Sequence, residues 1–158
     1  DMKFNPGTEE YNVQGSYASG SLFRFYVSNE NPAWIYALST DNTGEIYEIF
    51  PHSDTVSAFI SANGSTIAFP DEEHFIRMDE QKGTDVFCII YSKKRVDYDE
   101  LLSEIRSSNG SLKSRVLNYF GEAVIETDLV EYDMNEISFE AKSGIKSVLP
   151  IFINIKHH

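Results

Sequence analysis

One stretch of the sequence, residues 86–91, constrains the fold more than any other because every residue in it is apolar. A short apolar run of this kind predicts a β-strand that is buried on both faces. Such a strand should be central, with a sheet partner on one side and another element packed over it. We therefore expect a layered domain built around this strand.

The element that covers this strand is predicted to be helical. Apolar residues recur at helical spacing just beyond it: Tyr98, Leu101, Leu102 and Ile105. Asp97 with Glu100 three residues later resembles a capping box, and Ser111 begins a second short amphipathic stretch that Gly121 ends. The pattern predicts a two-helix excursion over residues 98–120.

The rest of the chain has the alternation and turn residues of short strands. An aromatic strand is predicted over residues 22–27, a hairpin joins strands 34–39 and 45–50, and a further strand covers 123–126. Asn63-Gly64 predicts a turn between strands 56–60 and 65–69. We expect a mainly β fold, an antiparallel β-sandwich of about eight or nine strands with the helical excursion packed on it.

The first 21 residues are rich in Gly, Ser, Asn and Glu and show no sustained hydrophobic period. They are interpreted as a linker or N-terminal arm, and residues 22–156 as a single β-sandwich-like domain. Tyr11, Val13 and Tyr17 alternate, so an added edge strand is the other interpretation of this segment.

Charge and cysteine content exclude several classes of protein. Lys and Arg number 13 against 25 Asp and Glu, a net charge of −12, which would repel nucleic acids and anionic membranes. One cysteine excludes an internal disulfide framework and a multi-cysteine zinc site. No apolar run approaches the roughly 20 residues of a membrane span. We expect no cofactor, no nucleic acid partner and no membrane insertion.

The ends of the sequence give little information about location. Residues 1–4 carry no signal-peptide pattern, and Asp1 in place of an initiator Met indicates a part of a longer protein. A periplasmic, secreted or cytoplasmic location all stay open. The pair His157-His158 is interpreted as a native tail or the remnant of an affinity tag rather than a metal clamp, because adjacent side chains on a strand point to opposite faces.

The nucleophile and base candidates are Cys88, His52 and His74. Cys88 lies inside the most apolar strand, where burial raises a thiol pKa, so core packing is favoured over catalysis. His52 and His74 follow proline turns, and neither belongs to a recognisable hydrolase motif. We therefore assign no catalytic residue.

Two further groups of residues bear on ligand binding. The acidic clusters, including the oxygen-rich turn at residues 41–45, match no EF-hand loop, so solvated charge and turn chemistry are favoured over a Ca²⁺ site. Trp34, Tyr36 and Tyr47 lie on the predicted hairpin and are the candidate ligand-binding residues, because exposed aromatic rings can stack on a sugar or a peptide. Cross-strand packing is the alternative for these rings.

Several segments together resemble a known family. They are an aromatic strand followed by an Asn-x-x-Pro turn and a Tyr-x-Leu strand at residues 23–38, Phe-Pro at 50–51, the Pro-acidic turn at 70–72, and residues 78–92. This pattern resembles a bacterial family catalogued as domain of unknown function 4384. The resemblance covers about residues 20–95, with a looser match near the C-terminal end.

The resemblance implies an accessory module. Such domains tend to occur in multidomain bacterial proteins, often C-terminal to a caspase-like cysteine peptidase domain. No catalytic residue is carried over, and the sequence around Cys88 lacks the Gln-Ala-Cys-x-Gly signature of a caspase nucleophile. The expected partner is then a neighbouring domain of the parent chain or another protein.

Three hypotheses of function follow from the sequence. The first is a non-catalytic interaction module of a larger bacterial protein. The second is a glycan- or peptide-binding sandwich, which requires Trp34, Tyr36 and Tyr47 to be exposed in one groove. The third is a hydrolase that uses His52 or His74 with a carboxylate or Cys88, and it requires these groups to come within hydrogen-bond reach.

Overall fold

The structure is a computed structural model and describes residues 1–61, 66–142 and 144–158. Strands hold 43% of the residues and helices 16%, so the predicted mainly β fold is confirmed. The described strands are β1 (Met2–Asn5), β2 (Glu10–Tyr17), β3 (Leu22–Phe23), β4 (Phe25–Ser28), β5 (Ala33–Thr40), β6 (Ile46–Phe50), β7 (Phe59–Ile60), β8 (Thr66–Phe69), β9 (Ile76–Arg77), β10 (Gly83–Ser92), β11 (Val130–Tyr132), β12 (Phe139–Ala141) and β13 (Val148–His157). The helices are α1 (Tyr98–Ser107) and α2 (Leu112–Phe120), followed by short 3₁₀ turns at Gly121–Ala123 and Thr127–Leu129.

The main sheet has the strand order β1-β2-β13-β10-β5-β6, and β7 also pairs with β5. Its pairs are antiparallel except β2 with β13, which run parallel. β10 lies between β13 and β5, as its apolar sequence predicts. Three separate two-stranded ribbons accompany this sheet: β3 with β9, β4 with β8, and β11 with β12.

Side chains of β10 alternate between two apolar clusters, one on each face of the sheet. Phe87 and Ile89 belong to the cluster that contains side chains of the ribbons, and we call this side the ribbon face. Cys88 and Ile90 belong to the cluster that contains the buried side chains of α1 and α2, and we call this side the helical face. This period of two is what a strand buried on both faces requires.

The two helices occupy the predicted positions and cover the helical face. α1 buries Leu101, Leu102 and Ile105 and begins at Asp97, whose side chain accepts a hydrogen bond from Glu100 N at 3.0 Å. Ser111 caps α2 in the same way through Ser114 N at 3.1 Å. Neither described helix is long and apolar enough to cross a membrane.

The predicted hairpin is formed by β5 and β6, with an irregularity in register between Ala37 and Leu38. The predicted turn at Asn63-Gly64 lies outside the described residues. The strands on either side of it do not pair with each other, because β7 pairs with β5 and β8 pairs with β4.

The N-terminal segment differs from the expected linker. β2 lies inside the main sheet between β1 and β13, and the Tyr11 side chain is fully buried. The Tyr11 hydroxyl lies 3.0 Å from the carbonyl oxygens of both Asp133 and Ser138, which share its one proton. Because most residues of the segment are polar, its composition does not indicate that a few side chains are buried and attach it to the domain.

Two predicted strands also differ from the structure. The strand expected over residues 22–27 is divided at Arg24, because β3 pairs with β9 while β4 pairs with β8. Residues 123–126 form no strand, and Val124 makes only an isolated parallel bridge to Val148. In both places a short segment changes partner, which an apolar pattern along the chain does not encode.

Candidate functional site

The three candidate aromatic residues lie on different faces of the sheet. Tyr36 is 2% exposed on the helical face, and its hydroxyl donates to the Val96 carbonyl at 3.1 Å. Trp34 is half-buried on the same face, with its ring 5.2 Å from that of Phe59. Tyr47 stands opposite Ser39 in register, which places it on the ribbon face. The three rings therefore do not line one groove.

Cys88 is a free thiol with no exposed surface on the helical face. Burial raises the pKa of this thiol well above its ordinary value. A reactive thiol needs thiolate character and access for its substrate. The position of Cys88 matches the packing role that the sequence favours.

His52 and His74 meet at one carboxylate, that of Asp71. His74 Nδ1 lies 2.7 Å from Asp71 Oδ2, and His52 Nε2 lies 3.7 Å from the same atom. Desolvation would raise the pKa of Asp71, but hydrogen bonds from the His74 side chain and from backbone N–H groups outweigh it and lower the pKa to about 2. Asp71 follows β8, whose Phe69 packs on the ribbon face, so the sheet separates this cluster from Cys88.

A cavity of about 230 Å³ lies between the ribbon face and the β3–β9 ribbon. Its apolar lining comes from both layers and includes Phe23, Ile49, Ile76, Met78 and Phe87. Its polar lining contains three carboxylates, Asp41, Asp79 and Asp85, together with Tyr47 and Arg77. This acidic cavity is the candidate functional site, because it combines apolar walls with convergent charged groups.

Asp85 is the most unusual residue of the acidic cavity. It stands on β10 opposite Ile155 and is 7% exposed. Its Oδ1 atom is buried and has no hydrogen-bond partner within the described part of the chain. Burial, together with the negative charges of Asp79 and Asp41, raises the pKa of Asp85 to about 6, although the charge of His157 opposes this shift. An unpaired buried carboxylate is costly, and such groups frequently mark functional sites.

Asp41 is, by contrast, well supplied with hydrogen bonds. Its Oδ1 atom accepts from Thr43 N at 2.8 Å and Thr43 Oγ1 at 2.6 Å, and its Oδ2 atom accepts from the Tyr47 hydroxyl at 3.0 Å. Burial alone would raise the pKa of Asp41, but these donors outweigh it and lower the pKa. The arrangement fixes the turn between β5 and β6 and orients Tyr47 at the cavity.

His157 forms part of the surroundings of these acids. Its Nδ1 atom lies 3.7 Å from Asp79 Oδ1, which is too long for a hydrogen bond, and Nδ1 is buried without another partner in the described residues. Its Nε2 atom lies 3.1 Å from Ser19 Oγ. His157 belongs to β13 and is 5% exposed, while His158 is exposed, as expected for adjacent residues of an extended chain.

Within residues 1–61, 66–142 and 144–158, no group of three or more His, Cys, Asp or Glu side chains is arranged to hold a metal ion. A site with this chemistry suits an organic cation that has an apolar part, because the walls are apolar and the polar groups are negative.

Asp85 is the acid of the cavity that the sequence does not single out, and the nearby His157 does not line the cavity. One sequence signal does mark Asp85. It lies an even number of residues from Phe87 and Ile89 on the same strand, so its side chain is on the ribbon face with theirs. The approach of Asp79 and His157 to it depends on tertiary structure.

Comparison with known proteins identifies the domain. A family described as "Domain of unknown function (DUF4384)" matches residues 16–95, half of the chain. The chain belongs to this family. All residues that line the acidic cavity lie within the DUF4384 segment, while His157 and both helices lie outside it. No curated protein and no solved structure matches the chain significantly.

Proposed function

We propose that this DUF4384 domain is a non-catalytic interaction module of a larger bacterial protein. Its partner is a neighbouring domain of the parent chain or another protein. The observation that carries the proposal is the Asp85 carboxylate at the wall of the cavity, whose buried Oδ1 atom has no hydrogen-bond partner among the described residues. A buried carboxylate of this kind is stabilised when a partner supplies a compensating positive charge.

The family resemblance also suggests where this domain lies in its parent protein. Domains of this kind tend to follow caspase-like cysteine peptidase domains, so we propose that the parent chain carries its peptidase chemistry upstream of this module. The burial of Cys88 supports the proposal that the peptidase chemistry belongs to another domain, because a buried thiol with a raised pKa is a poor nucleophile.

Peptide binding is the second candidate function, and Tyr47 is the observation that favours it. Its ring is 38% exposed and lines the acidic cavity, where it can contact a bound segment. Trp34 and Tyr36 lie on the other face of the sheet and do not contribute to this site.

The test of the proposed function uses the full parent chain. We expect its peptidase activity to be unchanged in the variants Cys88→Ala and His74→Ala, because neither residue takes part in the chemistry. Loss of activity in either variant, with folding intact by circular dichroism, would contradict a non-catalytic role. A parent gene that encodes no other domain would also count against the proposal.

A further inference from the structure

We propose that the acidic cavity receives one basic side chain, an Arg or a Lys, of the partner protein. This inference rests on the proposed function and names the chemistry by which the module recognises its partner. Asp85 is the main anchor, and Asp79 and Asp41 surround the charged group.

The size of the cavity favours a single side chain. Sites for drug-sized ligands begin at about 300 Å³, and this cavity is smaller, at about 230 Å³. Arg and Lys lay an aliphatic stem along apolar surface and bring the charge to a polar end. Here Ile76 and Phe87 supply such a surface beside the carboxylates.

The electrostatics of the cavity favour a cation. Asp85 is more than nine-tenths buried, yet its Oδ1 atom has no donor among the described residues. The raised pKa of Asp85 has burial as its largest cause, followed by the repulsion from Asp79. A guanidinium or ammonium group in the cavity would offset the charge of the Asp85 carboxylate and reduce both penalties. The net charge of −12 adds a long-range attraction for a basic partner.

Two basic side chains of this chain, Arg77 and His157, lie near the cavity, and neither forms an ion pair with Asp85 within the described residues. Arg77 lines the cavity, but the ion pairs formed by the described residues do not include it. Arg77 stands instead near Gly20, since a Cβ at that glycine would lie 3.6 Å from Arg77 Nη2. His157 Nδ1 lies 3.7 Å from Asp79 Oδ1, beyond hydrogen-bond distance, and the charge of His157 lowers the pKa of Asp85 without a hydrogen bond to Asp85 Oδ1 among the described residues.

The test titrates the 158-residue protein with capped tripeptides Gly-Arg-Gly and Gly-Lys-Gly and with the neutral isostere Gly-citrulline-Gly. Backbone amide shifts are followed by NMR spectroscopy. We expect the two basic peptides to shift the amides of Tyr47, Asp79, Asp85 and Phe87 with weak affinity, on the order of 1 mM, and the citrulline peptide to shift none of them. Added NaCl should weaken the binding.

The variant Asp85→Asn keeps the size of the side chain and removes its charge. We expect binding of the basic peptides to weaken at least about tenfold in this variant. The matched control is Asp128→Asn, an exposed carboxylate outside the cavity, which should bind as the wild type does. Equal binding of the Arg and citrulline peptides, or no shift at about 10 mM peptide, would overturn the proposal. Shifts at the same amides caused by CaCl₂ or MgCl₂ but not by the peptides would also overturn it, in favour of a metal site.

A second measurement separates this inference from the proposed function. Calorimetry measures binding of the wild-type domain and the Asp85→Asn variant to the remainder of the parent chain. Binding that weakens at least about tenfold in Asp85→Asn supports both proposals. Binding of equal strength in the two proteins overturns the inference of a bound basic side chain but is consistent with the proposed function as an interaction module. Absence of binding in both proteins contradicts partnership with the parent chain itself.

Discussion

The two faces of β10 both carry apolar side chains, but they differ in how they are covered. On the helical face, Cys88 and Ile90 have no exposed surface and are covered by helices whose buried residues pack directly on the sheet. On the ribbon face, Asp85 lines a cavity at the start of the same strand. Both faces have an apolar core, and among the described residues the ribbon face holds a buried carboxylate oxygen without a hydrogen-bond partner, Asp85 Oδ1, beside an accessible space.

The difference follows from the elements that cover each face. α1 and α2 are 10 and 9 residues long and present continuous apolar stripes, so they close the surface beneath them. The ribbons on the other face consist of strands of 2 to 4 residues, which cover the sheet in pieces. The gap beside the β3–β9 ribbon is where the cavity forms. In this domain the two helices bury one face of the sheet, and the interrupted layer of ribbons on the other face leaves the space that forms the cavity.

Thiol labelling tests the closure of the helical face and has the largest expected effect. Reaction of Cys88 with Ellman's reagent under native conditions should be at least about a thousandfold slower than in the denatured chain, because the thiol reacts only after the helices open. A Ser28→Cys variant in a Cys88→Ala background provides an exposed thiol for comparison. If Cys88 reacts as fast as this exposed thiol, the helical face is not closed.

Truncation of apolar side chains should distinguish the two layers. Leu101→Ala removes a fully buried side chain of α1 and should lower the free energy of unfolding by about 3 kcal/mol. Ile76→Ala removes a half-buried wall of the cavity and should cost about 1 kcal/mol, since space already exists beside it. Urea denaturation measures both values. A cost for Ile76→Ala as large as that for Leu101→Ala would remove the contrast between the layers.

Asp85 should make stability depend on pH in a definite direction. Its pKa is about 6 in the folded protein and 3.8 without the fold, so the folded state binds its proton more tightly. The stabilisation from this group is complete below pH 3.8 and is lost as the pH rises through about 6. Asp85→Asn cannot lose a proton, so relative to the wild type its free energy of unfolding should rise by about 1 to 2 kcal/mol between pH 4 and pH 7.

The control for this comparison is Asp128→Asn, which removes a carboxylate from the exposed surface. Its urea denaturation curves should follow those of the wild type across the same pH range. A constant difference between Asp85→Asn and the wild type at all pH values would mean that Asp85 does not titrate abnormally in the folded protein.

Tyr47→Phe tests the support of the cavity rim and has the smallest expected effect. The change removes the hydroxyl that donates to Asp41 Oδ2, at a cost of about 0.5 to 1 kcal/mol. The pKa of Asp41 should rise, because one of the donors that lower it is lost. A carboxyl titration followed by NMR spectroscopy measures this shift. An unchanged pKa of Asp41 would show that the hydroxyl makes no significant contact with it.

The parts of the fold that the sequence predicts are those set by local pattern. The central position of β10 follows from its continuous apolar run, and the two helices follow from their spacing and from the caps Asp97 and Ser111. The errors occur where partner choice decides the structure. Arg24 divides the expected aromatic strand, and its guanidinium stacks on Phe75, 3.8 Å from the ring centre, while its Nε donates to the His74 carbonyl.

The candidate site was less accessible to sequence reasoning. The hairpin pattern groups Tyr47 with Trp34 and Tyr36, but these two residues lie on the other face of the sheet. The acids of the cavity come from a turn, a loop and a strand, and Asp41 is far in sequence from Asp79 and Asp85. The pairing of β5 with β10 brings Asp41 near Asp85, and β9, which pairs with β3, carries Asp79 to the same cavity.

Hydrogen–deuterium exchange of the domain, alone and within its parent chain, tests most directly whether the ribbon face is the contact face. Association should slow exchange at the amides of Tyr47, Asp79 and Phe87 and leave α1 and α2 unchanged. Slower exchange confined to the two helices, with no change around the cavity, would contradict the assignment of the ribbon face as the site of interaction.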